Sequence, residues 1–271
     1  MVLYNNELWQ KPGGASEFYE YQIEQSVRFD SESSSYLSRT QGTPTNVDIC
    51  TISCWVKRAK IGAYLTAFTG SGKSGGGGQY GHIGFGGDGS TADEFYYLQN
   101  PGTPTVRLES NALFRDTTGW TNIVIAQDST QGTAANRNKI YFNGTQYTDW
   151  GDFTAYSTQN SDFLMNSSGH TIFVGSGGDS AANAYIHFDG YIAEYIFIDG
   201  TQNAVTDFGE TKNGVWIPKD PSGLTFGNNG FYLKFGNSGS LGTDSSGNGN
   251  NLTAYNMGAD HQVLDSPTFG S

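Results

Sequence analysis

From residue 26 onward, apolar and polar positions alternate in short runs with a period of two, the signature of β-strands. The clearest run is 184–198. Its second half places Tyr191, Ala193, Tyr195 and Phe197 on one face and Ile192, Glu194, Ile196 and Ile198 on the other. Both faces are largely apolar, so this strand is expected inside a layered structure and not at a wet edge. Asp189-Gly190 is expected to reverse the chain between the two halves as a hairpin turn, because Gly accepts φ > 0 without a Cβ clash.

The same pattern predicts strands at 26–29, 36–39, 48–57, 62–68, 80–85, 94–98, 105–108, 120–126, 138–143, 171–174 and 230–235. In 48–57, Cys50, Ile52, Cys54 and Val56 form a buried face, and Trp55 falls on a mixed one. Asn143-Gly144 reads as a hairpin turn, 70–78 as a glycine-rich loop, and 202–211 as room for one helical turn. Strands at this spacing predict an all-β protein, a two-sheet antiparallel β-sandwich. The expected core is Cys50, Ile52, Cys54, Ile123, Ile125, Ile140, Phe142, Ile172, Val174, Ile192 and Ile196. Residues 26–200 form the sandwich, and 201–271 a C-terminal extension that packs on it or leads to further chain. Residues 1–25 form an extended N-terminal segment, interrupted at Pro12-Gly-Gly14 and apolar enough (Tyr4, Leu8, Trp9, Phe18, Tyr19, Tyr21) to gain order only by burial. It is read as an anchor to an assembly, against the alternative that it folds back over its own sheet.

Composition supports this outline. The 271 residues hold 38 Gly, 16 Tyr and 17 Phe with only 15% charged side chains, which suits short strands and tight turns better than helices. A net charge of −12, with no basic cluster beyond Lys57-Arg58, argues against nucleic acid or anionic lipid as a partner. No run approaches ~18 apolar residues and the N-terminus lacks a signal-peptide pattern, so neither membrane insertion nor export is expected. Cys50 and Cys54, roughly 13 Å apart along a strand at ~3.3 Å per residue, are beyond disulfide reach and read as buried thiols.

Several motifs fail on context. Gly84-Phe-Gly86-Gly-Asp-Gly89 has dinucleotide-loop spacing but leads into a strand, not a helix N-terminus. Gly72-Lys73-Ser74 lacks the earlier glycine of a phosphate loop. The four histidines have no partner at metal-ligand spacing, and no strand carries the paired carboxylates of a glycosidase, so no enzyme activity is expected.

Two kinds of binding chemistry remain. The loop 145–156 carries Tyr147, Trp150 and Tyr156 beside Asp149 and Asp152, rings for the apolar faces of a sugar and carboxylates for its hydroxyls. The opposing reading is a lid whose rings fold inward. Asp244 and Asn248, in a curling loop with Ser246 and Asn250, and Asp88 and Asp93, in an acidic loop, are oxygen ligands of the kind calcium takes, against the reading of plain turns.

Five successive stretches, 26–37, 51–57, 120–125, 140–144 and 172–194, resemble in order the signatures of laminin-G-like, concanavalin A-like lectin/glucanase domains. The phrases at 212–219, 229–235, 244–251 and 263–267 resemble those of such proteins from marine bacteriophages. The resemblance implies a concanavalin A-like jelly roll, calcium at its rim in some members, and a virion component assembled in the host cytoplasm. A tail-fibre or tail-spike adhesin would bind host cell-surface glycan. The alternative is a purely structural capsid decoration or adaptor docking through its N-terminal segment onto other virion subunits. By the same analogy the protein is expected as a homotrimer, and whether the natural chain continues beyond Ser271 stays open.

Overall fold

A computed structural model describes residues 18–63, 65–73, 78–86, 91–102, 105–151, 154–180 and 183–268. Two antiparallel sheets pack face to face. The first, sheet A, runs in the order β10 (Thr145–Tyr147), β9 (Asn138–Phe142), β8 (Thr121–Asp128), β3 (Ile49–Arg58), β14 (Gly190–Asp199), β1 (Ser26–Phe29) and β19 (Gln262–Val263), with β17 (Phe231–Leu233) also paired to β14. Sheet B runs β18 (Thr253–Tyr255), β2 (Tyr36–Thr40), β11 (Thr171–Val174), β4 (Thr66–Gly72), β5 (Tyr80–Phe85), β6 (Glu94–Asn100) and β7 (Val106–Leu113). Two ribbons complete the fold, β12 (Ser176–Ser180) with β13 (Asn183–His187), and β15 (Gly209–Lys212) with β16 (Val215–Pro218). In place of the helical turn at 202–211 there is one short 3₁₀ turn at Val205–Asp207 followed by β15.

The interior holds Cys50, Ile52, Cys54, Ile123, Ile125, Ile140, Ile172, Val174 and Ile192 as expected, with Phe142 half-buried against them. Burial pushes both thiols upward, so they stay protonated and act as small apolar groups. Tyr195 spans the interior and brings its hydroxyl 2.6 Å from Thr69 Oγ1, joining the two sheets. Asn143 and Gly144, both at positive φ, close the β9–β10 hairpin, the conformation that makes Asn-Gly the favoured pair there.

Two expectations about 184–198 are corrected. Asp189-Gly190 does not close a hairpin: β13 pairs with β12 over sheet B, while β14 lies in sheet A between β3 and β1. The turn residues carry the chain from one layer to the other. The alternation along β14 also breaks, because Ala193 pairs with Trp55 and Ile196 with Ser53, leaving Glu194 and Tyr195 opposite Cys54 alone. Glu194, at φ 48°, is the extra residue of this bulge. Ile192, Tyr195 and Phe197 therefore point into the sandwich, whereas Ala193, Ile196 and Ile198 point to the other side of sheet A. Ile196 is buried, but in the outer layer.

That outer layer is built from the chain ends. Val124, Ile196, Ile198 and Tyr232 are capped by Phe208 and Phe226. Trp55 and Ala193 are capped by Ile23, with Tyr21, Trp120 and Trp216 around them. Residues 18–25 thus lie across the sandwich's own sheet A, pinned where Ile23 N–H donates to Thr268 Oγ1 (2.9 Å) and Thr268 Oγ1 donates to the Ile23 carbonyl (2.9 Å). Of the segment 1–25 expected to anchor the domain to an assembly, residues 1–17 lie outside the described residues.

Since β14 is buried on both faces, truncation on either should be costly. Phe197→Ala, which removes a ring stacked 5.5 Å from Phe231, is expected to lower unfolding free energy by about 3–5 kcal/mol, and Ile198→Ala by about 2–5 kcal/mol. Urea unfolding checks this. A change under about 0.5 kcal/mol for either would mean that its face is solvated.

Candidate functional site

Sheet A is covered on its outer side, so the exposed face of the sandwich is the outer side of sheet B. Along β5, β6 and β7 the alternation sends Ile83, Phe85, Phe95, Tyr97, Val106 and Leu108 inward. Tyr80, His82, Tyr96, Leu98, Arg107 and Glu109 are left outward. Register sets them side by side: His82 opposite Leu98, Leu98 opposite Arg107, Tyr96 opposite Glu109.

The β12–β13 ribbon lies on this face. Gly70 of β4 and Gly177 of β12 allow it to approach, since a Cβ on Gly70 would fall 2.8 Å from the Gly177 Cα. His82 Nε2 lies 3.3 Å from the Gly178 carbonyl and ties the ribbon to β5. Beside the ribbon runs a groove of about 90 Å³ lined by Tyr80, His82, Tyr96, Leu98, Glu109 and Tyr185. The Tyr80 and His82 rings stack at 4.8 Å and 20°, and Tyr185 stands edge-on to His82 at 6.0 Å. Tyr185 is 48% exposed. Glu109 is held by Arg107 at 3.3 Å, which fixes both groups at the rim. Tyr96 forms the floor: its hydroxyl is buried and has no hydrogen-bond partner among the described residues. Burial, with Tyr185 nearby, pushes it well above the usual tyrosine range, so it remains a neutral donor.

The predicted sugar loop borders this face but turns most of its rings away. Trp150 and Tyr156 pack on the interior, with Trp150 6.4 Å from the Phe95 ring and 4.8 Å from Tyr147. Tyr147 accepts the Ala112 N–H at its hydroxyl (3.1 Å). Asp149 is exposed and accepts Asn111 Nδ2 (2.7 Å), one outward position beyond Glu109 on β7. Asp152 lies outside the described residues. The three described rings form a lid, as the opposing reading had it, and only Asp149 continues the outward polar rim.

The calcium candidates are otherwise engaged. Asp88 lies outside the described residues. Asp93 is buried and accepts Arg58 Nη2 (2.8 Å), the Gly62 N–H (2.8 Å) and Arg115 Nε (3.2 Å). Burial opposes its charge, but the Gly62 N–H and the two guanidiniums outweigh burial and hold it below the usual carboxylate range. Asp244 accepts the Tyr232 and Ser246 N–H groups on Oδ1, and Ser246 Oγ and the Asn250 N–H on Oδ2, all within 2.8 to 2.9 Å. Asn248 turns its amide nitrogen to the Gly227 and Gly230 carbonyls. The carboxylate oxygens of Asp93 and Asp244 are spent on protein donors, and no group of three or more His, Cys, Asp or Glu placed to hold a metal occurs among the described residues.

A larger cleft of about 620 Å³ opens at the end of the sandwich, lined by Pro44, Val47, Lys73, Asp162, Leu164 and His170 among others. None of its described lining residues is a Tyr, Trp or Phe, so among them it offers no platform for an apolar sugar face. Burial lowers His170 and favours its neutral form.

No protein-family profile and no curated protein matches the sequence. Among solved structures, a proposed carbohydrate-binding protein from Bacteroides ovatus ATCC 8483 superposes with a TM-score of 0.58 at 16% identity over 91% of this chain. A heptameric SAP-like pentraxin from Limulus polyphemus covers 69% of this chain and 81% of its own at 14% identity and a TM-score of 0.48. The fold is a two-sheet antiparallel β-sandwich of jelly-roll type. The chain spans 62% of the Bacteroides protein. The enzymatically active domain of bacteriophage CBA120 tailspike protein 2 matches 68% of this jelly-roll chain and 26% of its own at 17% identity. Its TM-score of 0.44 marks a likeness of outline alone.

Sequence reasoning missed Tyr80, His82, Tyr96, Glu109 and Tyr185. The available signal was the run Phe95-Tyr96-Tyr97, in which a strand must send one ring outward. The ionic cluster gives a test: Asp93→Asn leaves Arg58, 4% exposed, without its carboxylate and is expected to cost about 3–5 kcal/mol at neutral pH. Because the Asp93 carboxyl is depressed, this contribution is full above its unfolded pKa of ~3.9 and is lost as pH falls through the folded value. The mutant and wild-type unfolding energies should therefore converge in acid.

Proposed function

We propose that the protein is a non-catalytic glycan-binding component of a bacteriophage virion, a tail-fibre or tail-spike adhesin that offers the outer face of sheet B to host surface polysaccharide. The observation that carries this reading is the groove beside the β12–β13 ribbon. Tyr185 and Tyr80 provide faces for a sugar ring, Glu109 and Arg107 a charged fork for its hydroxyls, and Tyr96 a buried hydroxyl without a partner among the described residues. The lectin-type fold and the likeness to a proposed carbohydrate-binding protein support it. The virion setting, assembly in the host cytoplasm, the homotrimer and contact with other virion subunits rest on the sequence resemblance.

A binding role without hydrolysis is supported by the groove's carboxylates. Among its described lining residues the carboxylate is Glu109, which is paired with Arg107, whereas glycoside hydrolysis uses two carboxyl groups about 5–9.5 Å apart across the scissile bond.

Tyr185→Ala and Glu109→Gln are each expected to weaken binding to host cells or to extracted host polysaccharide at least about tenfold, with melting temperatures close to wild type because Tyr185 is 48% exposed and Glu109 sits at a rim. Trp150→Ala should do the reverse, lowering stability while the groove persists. Wild-type protein that binds neither cells nor polysaccharide would favour the purely structural decoration, and release of reducing ends would reveal a depolymerase.

A further inference from the structure

The bulge residue Glu194 lies under the N-terminal strap, residues 18–25, on the side of the molecule away from the groove. Its side chain is 5% exposed and projects from a backbone position at φ 48°. Oε1 accepts hydrogen bonds from the hydroxyls of Tyr21 in the strap and Tyr232 in β17, whose oxygens are 2.7 Å apart. Glu194 lines a cavity of about 280 Å³ whose other walls are strap residues 21–25, Lys234 and Gly236. The carboxyl is therefore the only side chain of β14 that the strap reaches by a hydrogen bond among the described residues.

We propose that residues 18–25 form a proton-controlled latch, closed on sheet A when Glu194 is protonated and loosened when it ionises. The groups facing this carboxyl are Tyr21 and Glu24 from the strap, Tyr232 and Lys234 from β17 and its end, and Asp220 from the loop before β17. Burial is the strongest influence and raises the carboxyl. The two tyrosine hydroxyls and Lys234 lower it, Asp220 raises it, and the balance leaves it pushed up to about 7. Both tyrosines are pushed upward by burial and by Glu194, so they remain neutral donors throughout.

The direction follows from linkage. Once the strap lifts, Glu194 meets water and returns toward its ordinary value of ~4.3, so the closed form binds the proton more tightly. Closure is strongest below that value and declines as pH rises through about 7, by on the order of 10²-fold across the window. The strap continues covalently into residues 1–17, so the latch sets how firmly that segment is tied to the sandwich.

Hydrogen exchange at the Ile23 amide, which donates to Thr268 across the strap, reads the latch directly once corrected for the intrinsic pH dependence of exchange. Its protection factor is expected to fall at least about tenfold between pH ~5 and ~8.5 in the wild type. In Glu194→Gln it should stay high and flat, since an amide oxygen still accepts from tyrosine but does not ionise. Lys234→Met, which removes the cation favouring ionisation, should move the midpoint to higher pH, and this variant carries the test if Glu194→Gln fails to fold. A flat wild-type profile, an unchanged slope in Glu194→Gln, or an unmoved midpoint in Lys234→Met would each overturn the latch.

Discussion

The architecture depends on one extra residue in β14. The sequence of β14 carries apolar residues at nearly every position, so both of its faces can be buried and parity decides which side chains go to which side. Inserting Glu194 as a bulge changes the parity halfway along. The first half gives Ile192 to the interior and pairs with β1, and the second gives Tyr195 and Phe197 to the interior and pairs with β17. The bulge also marks the point where the neighbouring strand changes from one end of the chain to the other. A left-handed glutamate costs of order 1–3 kcal/mol of backbone strain, and the pairing on both edges of β14 is what holds it.

From that parity change follows the division of labour between the two faces. Ala193, Ile196 and Ile198 make the outer side of sheet A too apolar for water, so residues 18–25, 205–226 and 265–268 are drawn over it. Lys57 and the Trp120 indole hold this cover through Asp265, at 2.8 and 3.1 Å. Sheet B is covered only in part: β4 is buried along its length, whereas the outward rows on β6 and β7 leave Leu98, Arg107, Glu109 and Asn111 at least partly exposed. The β12–β13 ribbon lies against it, with Gly70 and Gly177 at the closest approach, and the ribbon's edge with the adjacent rings makes the groove. The covered side has a buried carboxyl and the other side a charged rim, on opposite sides of one sandwich.

Much of this was legible in the residues. Alternation in 48–57 and 120–126 fixed which side chains enter the interior, because those strands keep their period throughout. Asn143-Gly144 announced its own hairpin through the positive φ that both residues adopt. What could not be read was the parity of β14, since an acidic residue among apolar ones looks the same whether it follows the alternation or interrupts it. The Asp189-Gly190 turn misled for a related reason: the same local chemistry serves a hairpin and a crossing between layers, and only pairing partners tell them apart. The loop 145–156 had the composition of a sugar site, yet composition is silent on direction, and Phe95, Phe114 and Phe142 offered its rings an apolar surface beneath. The groove residues are spread over β5, β6, β7 and β13, so no single stretch of sequence displays them together.

The central claim is that the outer face of sheet B beside the β12–β13 ribbon is the face that meets a ligand. It is tested most directly by hydrogen–deuterium exchange across the whole chain with and without polysaccharide extracted from a susceptible host. Slowed exchange in peptides spanning 80–85, 94–100, 106–113 and 183–187, with 18–25 and 201–226 unchanged, is the predicted result. Protection confined to the covered side of sheet A, or to the cleft around His170, would contradict it.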